Sequence, residues 1–198
     1  MARHSRQIRT RKAIAILGEG ITERYYFEGL RKYENYGFKI KPEKPQNSDF
    51  TYIFKKARQL AGDEYDLVYC IIDLDTIIRN KFLISKYKTG KDNIIKCSKI
   101  KVIEINPCFE LWFLLHHKKI GKCFKDCNET IKCIRKIHKL KKYNKTHAYF
   151  ERNNLYQILL EKLNNAIDNS KWVNSKRTLP QHSKCDVYKI IEKLRSLK

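Results

Sequence analysis

Three acids stand where carboxylates have chemical use: Glu19, just after the apolar run Ala13–Leu17, and Asp73 and Asp75, just after the apolar run 67–72. In the triplet Asp73-Leu74-Asp75 the aspartates are two residues apart, so a chain still extended past its strand turns both to one side. Their oxygens can then hold a hard cation. Glu19 completes the set if the two apolar runs are strands whose ends meet. Magnesium needs few carboxylates, keeps several waters and takes its remaining oxygens from substrate phosphate. Glu19, Asp73 and Asp75 are therefore read as ligands of Mg²⁺, with Mn²⁺ as a substitute. The competing reading makes Asp73 and Asp75 caps of the next element and lets Glu19 and Glu23 complement a helix dipole. For either motif alone the two readings are level, and their joint occurrence favours the site. Gly18 and Gly20 flank Glu19 and allow a sharp turn and close approach to a phosphate. Dinucleotide binding fits poorly, because Glu23 replaces the third glycine of a Gly-x-Gly-x-x-Gly loop and would repel pyrophosphate.

The elements that must position these acids follow from periodicity. Ala13–Leu17, bounded by glycines, reads as a buried parallel strand. Thr22 is the expected N-cap of a helix carrying Tyr26, Phe27, Leu30 and Tyr33 at helical spacing. Residues 38–41 suit a second strand, and Phe50, Ile53, Phe54, Ala57 and Leu60 a second amphipathic helix. Residues 67–72 form a third strand and 101–105 a fourth. The basic segment 76–99 between them is weakly periodic and reads as a helix or loop. Asn106 and Pro107 predict a helix start, with Asn106 as N-cap and Pro107 in the first turn. Strands alternating with helices imply a mostly parallel four-stranded α/β sheet flanked by helices, whose ligands lie at the carboxyl ends of its strands. Beyond His117 the alternation stops, and helices are expected near 129–142, 151–169 and 186–196. The chain thus divides into a basic arm (1–12), an α/β core (13–117) and a basic helical extension packed on the core (118–198).

The charge balance names the partner class. Lys and Arg outnumber Asp and Glu by 43 to 21, a formal charge of +22 that favours a polyanion such as nucleic acid. No run of about 18 apolar residues is present, so no membrane span is expected. The N-terminus lacks a signal-type apolar segment, which implies a cytoplasmic protein. Seven cysteines are an odd set that a reducing compartment would keep as thiols. In the arm, Arg9, Arg11 and Lys12 are candidates to touch phosphate. In the extension, Lys132, Arg135, Lys136 and Lys139 lie opposite Ile131, Ile134, Ile137 and Leu140, which predicts one cationic helix face. Tyr143, Tyr149 and Phe150 fit either base stacking or the core. Cys123, Cys127, Cys133 and His138 are a poor zinc set, since there is no Cys-x-x-Cys knuckle and Cys133 and His138 fall on different helix faces. His116 and His117 are read as helix-end or phosphate contacts.

Three segments together, Glu19–Leu30 (EGITERYYFEGL), 65–76 (YDLVYCIIDLDT) and 105–117 (INPCFELWFLLHH), resemble the RloB family, also called the AbiL second-component family, of bacterial phage-defence proteins related to Toprim domains. The resemblance covers roughly residues 13–117. It implies a Toprim-like Rossmannoid sheet, with Glu19 as the Toprim glutamate and Asp73 and Asp75 as its metal-binding Asp-x-Asp. Glu23 fills the second acid of the first motif, and Asn106 and Glu110 come from the third, near the same rim; for Glu110 compensation of a helix dipole weighs equally. It further implies a nuclease effector of an abortive-infection system working with an SMC- or ABC-type ATPase. The chain has no Walker A motif of its own, because Gly90-Lys91-Asp92 lacks the Ser or Thr and the upstream glycine. The alternatives are a non-catalytic nucleic-acid-binding subunit of such a complex and a small-nucleotide hydrolase.

Overall fold

The computed structural model describes residues 12–36, 39–43, 49–62, 65–121 and 123–197. Strand β1 (Ala13–Leu17) leads into helix α1 (Ile21–Glu34), then β2 (Lys39–Glu43), α2 (Phe50–Gly62), β3 (Leu67–Asp73), α3 (Lys81–Ile94) and β4 (Ile100–Asn106). The sheet order is β2-β1-β3-β4, all parallel, as the alternation predicts. A further strand, β5 (Lys184–Cys185), pairs antiparallel with the end of β4. Two residues are too short to announce a strand by periodicity.

Side chains alternate along β1, β3 and β4, so both faces of the sheet are buried there. Ile14, Ile16, Tyr69, Ile71, Ile103 and Ile105 face one layer, with Tyr26, Phe27 and Leu30 of α1 and Trp112 and Phe113 of α4 (Glu110–Leu115). Ala15, Leu17, Val68, Cys70 and Ile72 face the other, against Ile53, Phe54, Ala57 and Leu60 of α2 and Tyr87 and Ile94 of α3. The first layer continues without a break into the last third of the chain. It takes in Leu163, Ala166 and Val173 of α8 (Leu163–Ser175) and Val187, Ile190, Ile191 and Leu194 of α9 (Val187–Arg195). Residues 118–197 therefore share the core of the sheet.

Several expected boundaries move. The weakly periodic basic segment contains a true helix, α3, started by Asn80, whose side chain accepts from the N–H groups of Phe82 and Leu83. Thr22 does not cap α1; Gly20 is the N-cap and Glu23 Oε1 reaches back to its N–H at 3.2 Å. A side chain on Gly18 would meet Glu23 Cβ at 2.6 Å, so close approach of this acid, and not an unusual backbone angle, is what requires glycine there. Asn106 does not cap a helix either. The Asn106–Pro107 bond is cis and α4 begins only at Glu110, while the Asn106 amide donates to the carbonyls of Gln181 and His182.

The helix expected over 129–142 ends early. α5 spans Cys127–Ile134, and a 3-10 turn follows at His138–Leu140. The helix expected over 151–169 is divided into α6 (His147–Arg152), α7 (Leu155–Leu159) and α8, because the Asn154 side chain accepts from Gln157 N–H and starts a new helix.

Candidate active site at the carboxyl ends of the strands

The chain runs from β1 to β2 on one side and returns past β1 to β3 on the other, with α1 and α2 on opposite faces. This makes the gap between β1 and β3 a topological switch point, where open parallel sheets bind ligands. Leu17 lies opposite Cys70 in the register, so the chain leaving β1 passes the end of β3. Glu19 and Asp73 meet there: Asp73 N–H donates to Glu19 Oε1 at 3.0 Å. Asp73 Oδ1 is buried and has no hydrogen-bond partner. Glu23, in the first turn of α1, is buried beside them.

Glu110 is fully buried in the first turn of α4 and is the hub of the polar contacts. Its Oε1 accepts from Tyr143 OH at 2.7 Å and Thr22 Oγ1 at 3.2 Å, and pairs with Lys145 Nζ at 2.9 Å. Specific side-chain partners, more than a helix dipole, account for its place. Burial works against the Lys145 charge, yet Glu110, Asp73 and Glu23 together hold its ammonium above the usual lysine range.

For the surrounding acids the same lysine offsets only part of the cost of burial. Burial, together with the charges of Glu23 and Asp75, pushes Glu19 up to about 8, although Asp73 N–H favours its ionised form. Burial and the Glu110 charge bring Glu23 to about 7. Asp73 is raised well above the usual carboxylate range by burial and by Glu23 and Glu19. Removing water from several carboxylates at once is costly, and a bound cation relieves both the desolvation and the mutual repulsion.

Asp75 sits half-buried in the turn after β3, with Oδ1 accepting from Thr76 N–H at 2.7 Å. The oxygens of Glu19, Asp73 and Asp75 do not all come within 4.8 Å of one another, so the site is wider than a closed protein cage. Such spacing suits an ion that keeps several waters. The orphaned Asp73 oxygen and the partly compensated acids around it fit a hard cation.

Among the described residues, the tighter group is Cys108, Glu110 and Cys127. Cys108 and Cys127 form a disulfide, against the expectation that every cysteine is a thiol, and this removes the thiolates a soft metal would need. Cys127 is thereby taken out of the Cys123, Cys133 and His138 set.

The predicted phosphate contacts fare differently. Arg9 and Arg11 lie outside the described residues, while Lys12 is exposed beside β1. Lys132, Arg135, Lys136 and Lys139 are exposed, but the helix stops at Ile134 and they do not form one face. Arg135 Nε donates to Tyr143 O, and Lys139 is paired with Glu161 at 3.0 Å. His116 is buried against Trp112 O and pushed down to about 3 by burial, so it is a core residue. Sequence reasoning missed Lys145 and the bridging role of Tyr143. Both come from a loop more than a hundred residues from Glu19, and no local pattern marks them.

A switch-point cluster of buried and half-buried acids on a parallel sheet defines an α/β protein with a candidate cation site. Residues 14–194 match the model of the RloB-like protein family, and the chain belongs to that family. The match extends through α9, well beyond the residues 13–117 that carry the resemblance in sequence. Comparison with curated proteins and with solved structures finds no match. No helix among the described residues is long and apolar enough to cross a membrane.

Proposed function

We propose that this chain is a Mg²⁺-dependent nuclease of the Toprim type, acting on RNA or DNA as the effector of a phage-defence system with an ATPase partner. The observation that carries the reading is the buried, unpartnered Asp73 Oδ1, set among Glu19 and Glu23 at the switch point. Glu19, Asp73 and Asp75 would hold the cation, which supplies activation of water and stabilisation of the departing oxygen. Glu23, brought to about 7, is suited to exchange a proton near neutrality. Glu110 holds Lys145 beside the acids, and the lysine, 43% exposed, offers its charge to an incoming phosphate. Lys91 belongs to α3 and pairs with Glu104 at 2.6 Å, a structural role.

The other reading is a non-catalytic nucleic-acid-binding subunit, favoured by the formal charge of +22. One assay separates them. Purified protein, with and without its ATPase, is incubated with DNA, tRNA, other RNA and nucleotides in Mg²⁺ or Mn²⁺, alongside Glu19→Ala. Metal-dependent cleavage lost in the variant is expected; cleavage that persists removes the mechanism, and binding without cleavage supports the second reading.

A further inference from the structure

Segment 138–153, which delivers Lys145 to Glu110, also lines an open cavity of about 700 Å³. That volume lies within the roughly 300–1,000 Å³ usual for ligand sites. Its lining includes Lys139, Lys141, Lys142 and Arg152, and no acid. Lys139 is neutralised by Glu161. Among the described residues, no carboxylate is within ion-pair distance of Lys141, Lys142 or Arg152, so their charge is available to a bound anion.

The cavity also carries an aromatic wall. Tyr149 is half-buried and braced edge-on by Tyr143, with ring centroids 5.5 Å apart, and by Phe150 at 5.7 Å. Such a ring is held in place before a ligand arrives and can stack on a base at little entropic cost. Asn144, exposed in the same lining, adds amide groups. The cavity is coupled to the acids by direct contacts. Tyr143 touches Tyr149 through its ring and Glu110 through its hydroxyl, and Lys145 lies between the lining residues Asn144 and Thr146.

We propose that this cavity binds single-stranded polynucleotide, with Lys141, Lys142 and Arg152 on successive phosphates and a base against Tyr149, and so feeds the strand past Lys145 to the acidic cluster. The assignment deepens the nuclease reading and rests on it for the direction of the strand, but not for binding itself. A duplex presents stacked bases that cannot reach Tyr149, so the unpaired strand is the preferred form.

The test measures binding of labelled mixed-sequence oligonucleotides to the full chain in EDTA, where metal-dependent cleavage cannot interfere. Single-stranded RNA, single-stranded DNA and duplexes of each form the arms. The Lys141→Ala, Lys142→Ala double variant should weaken single-strand binding by about tenfold or more and flatten the log-salt slope by about 1.4, two phosphate contacts at about 0.7 each. Tyr149→Leu, which keeps an apolar side chain against Phe150, should weaken it about five- to tenfold while leaving duplex binding and the salt slope unchanged. A difference between the RNA and DNA arms assigns the sugar. Unchanged affinity in the lysine variant, equal effects of Tyr149→Leu on duplex and single strand, or equal competition by polyglutamate would each overturn the proposal. If binding behaves as expected and no substrate is cut with metal restored, the nuclease reading fails and the binding site stands.

Discussion

Two places on the same sheet set acids in partly or fully buried positions, and the surroundings of the two are opposite. Glu104 on β4 accepts from Tyr87 OH at 2.8 Å and pairs with Lys91 at 2.6 Å and with Lys184. Burial opposes its charge, but the two lysines outweigh burial and pull it down to about 2. Glu23 is buried as well, with Glu19 and Asp73 half-buried beside it, and all three are pushed upward by loss of water and by one another, since Lys145, the cation among them, is already paired with Glu110. A chain with 43 basic residues has no shortage of lysine to place there. Full compensation at the first site suits scaffold, and the partial compensation at the second is what the proposed cation from solution would complete.

The comparison breaks most visibly in activity. Asp73→Asn and Glu19→Gln should lower metal-dependent cleavage by at least about 10²-fold, since loss of a ligand disables both water activation and leaving-group stabilisation. Their stability should change by less than about 1 kcal/mol, or rise, as repulsion is removed. Glu104→Gln should do the reverse and keep the metal dependence of cleavage. It should cost about 2–3 kcal/mol in chemical denaturation, less than the roughly 3–5 kcal/mol of a fully buried pair because Lys91 is about a third exposed.

The pH dependence of stability separates the two groups again. The Glu104 contribution should be full above about 4.5 and lost as pH falls towards about 2. Glu19 and Glu23 are raised, so the fold favours their protonated forms. Their contribution is full below about 4.5 and is lost as pH rises through about 7 and 8. In EDTA the wild type should therefore lose stability between pH 5 and pH 8, and Asp73→Asn should lose less. A flat profile over that range would show that the acids are already compensated. The smallest effect is expected at the N-terminus: removing residues 1–12 should flatten the salt slope of nucleic-acid binding and leave the melting of the core unchanged.

Much of this arrangement is legible in the sequence, and the reason is local. Ala13–Leu17 is a continuous apolar run with Glu19 two residues beyond it, and Leu67–Asp73 is one that ends in an acid, so the parallel strands and the meeting of Glu19 with Asp73 follow from pattern and sheet topology. What escapes is decided by contacts remote in sequence. Glu23 is clearest: its dipole position is readable, its burial against Asp73 and Glu110 is not. The Glu104 pair with Lys184 spans 80 residues, and the Glu110 hub draws on Tyr143 and Lys145 from a loop without periodicity. The cationic helix face expected from Lys132 to Lys139 fails for a related reason. Leu140 and Tyr143 turn into the core shared with Trp112, and the chain leaves the helix at Ile134 to let them in.

The central claim is that the partly compensated acids hold a divalent cation, and Mn²⁺ binding followed by electron paramagnetic resonance at pH 8 without nucleic acid tests it most directly. Saturable binding is predicted for the wild type and for Glu104→Gln, with loss of affinity by at least about tenfold in Asp73→Asn and in Glu19→Gln. Binding should weaken at pH 5, where protons compete for the same oxygens. Undiminished Mn²⁺ binding in both acid variants, or none in the folded wild type, would contradict the account.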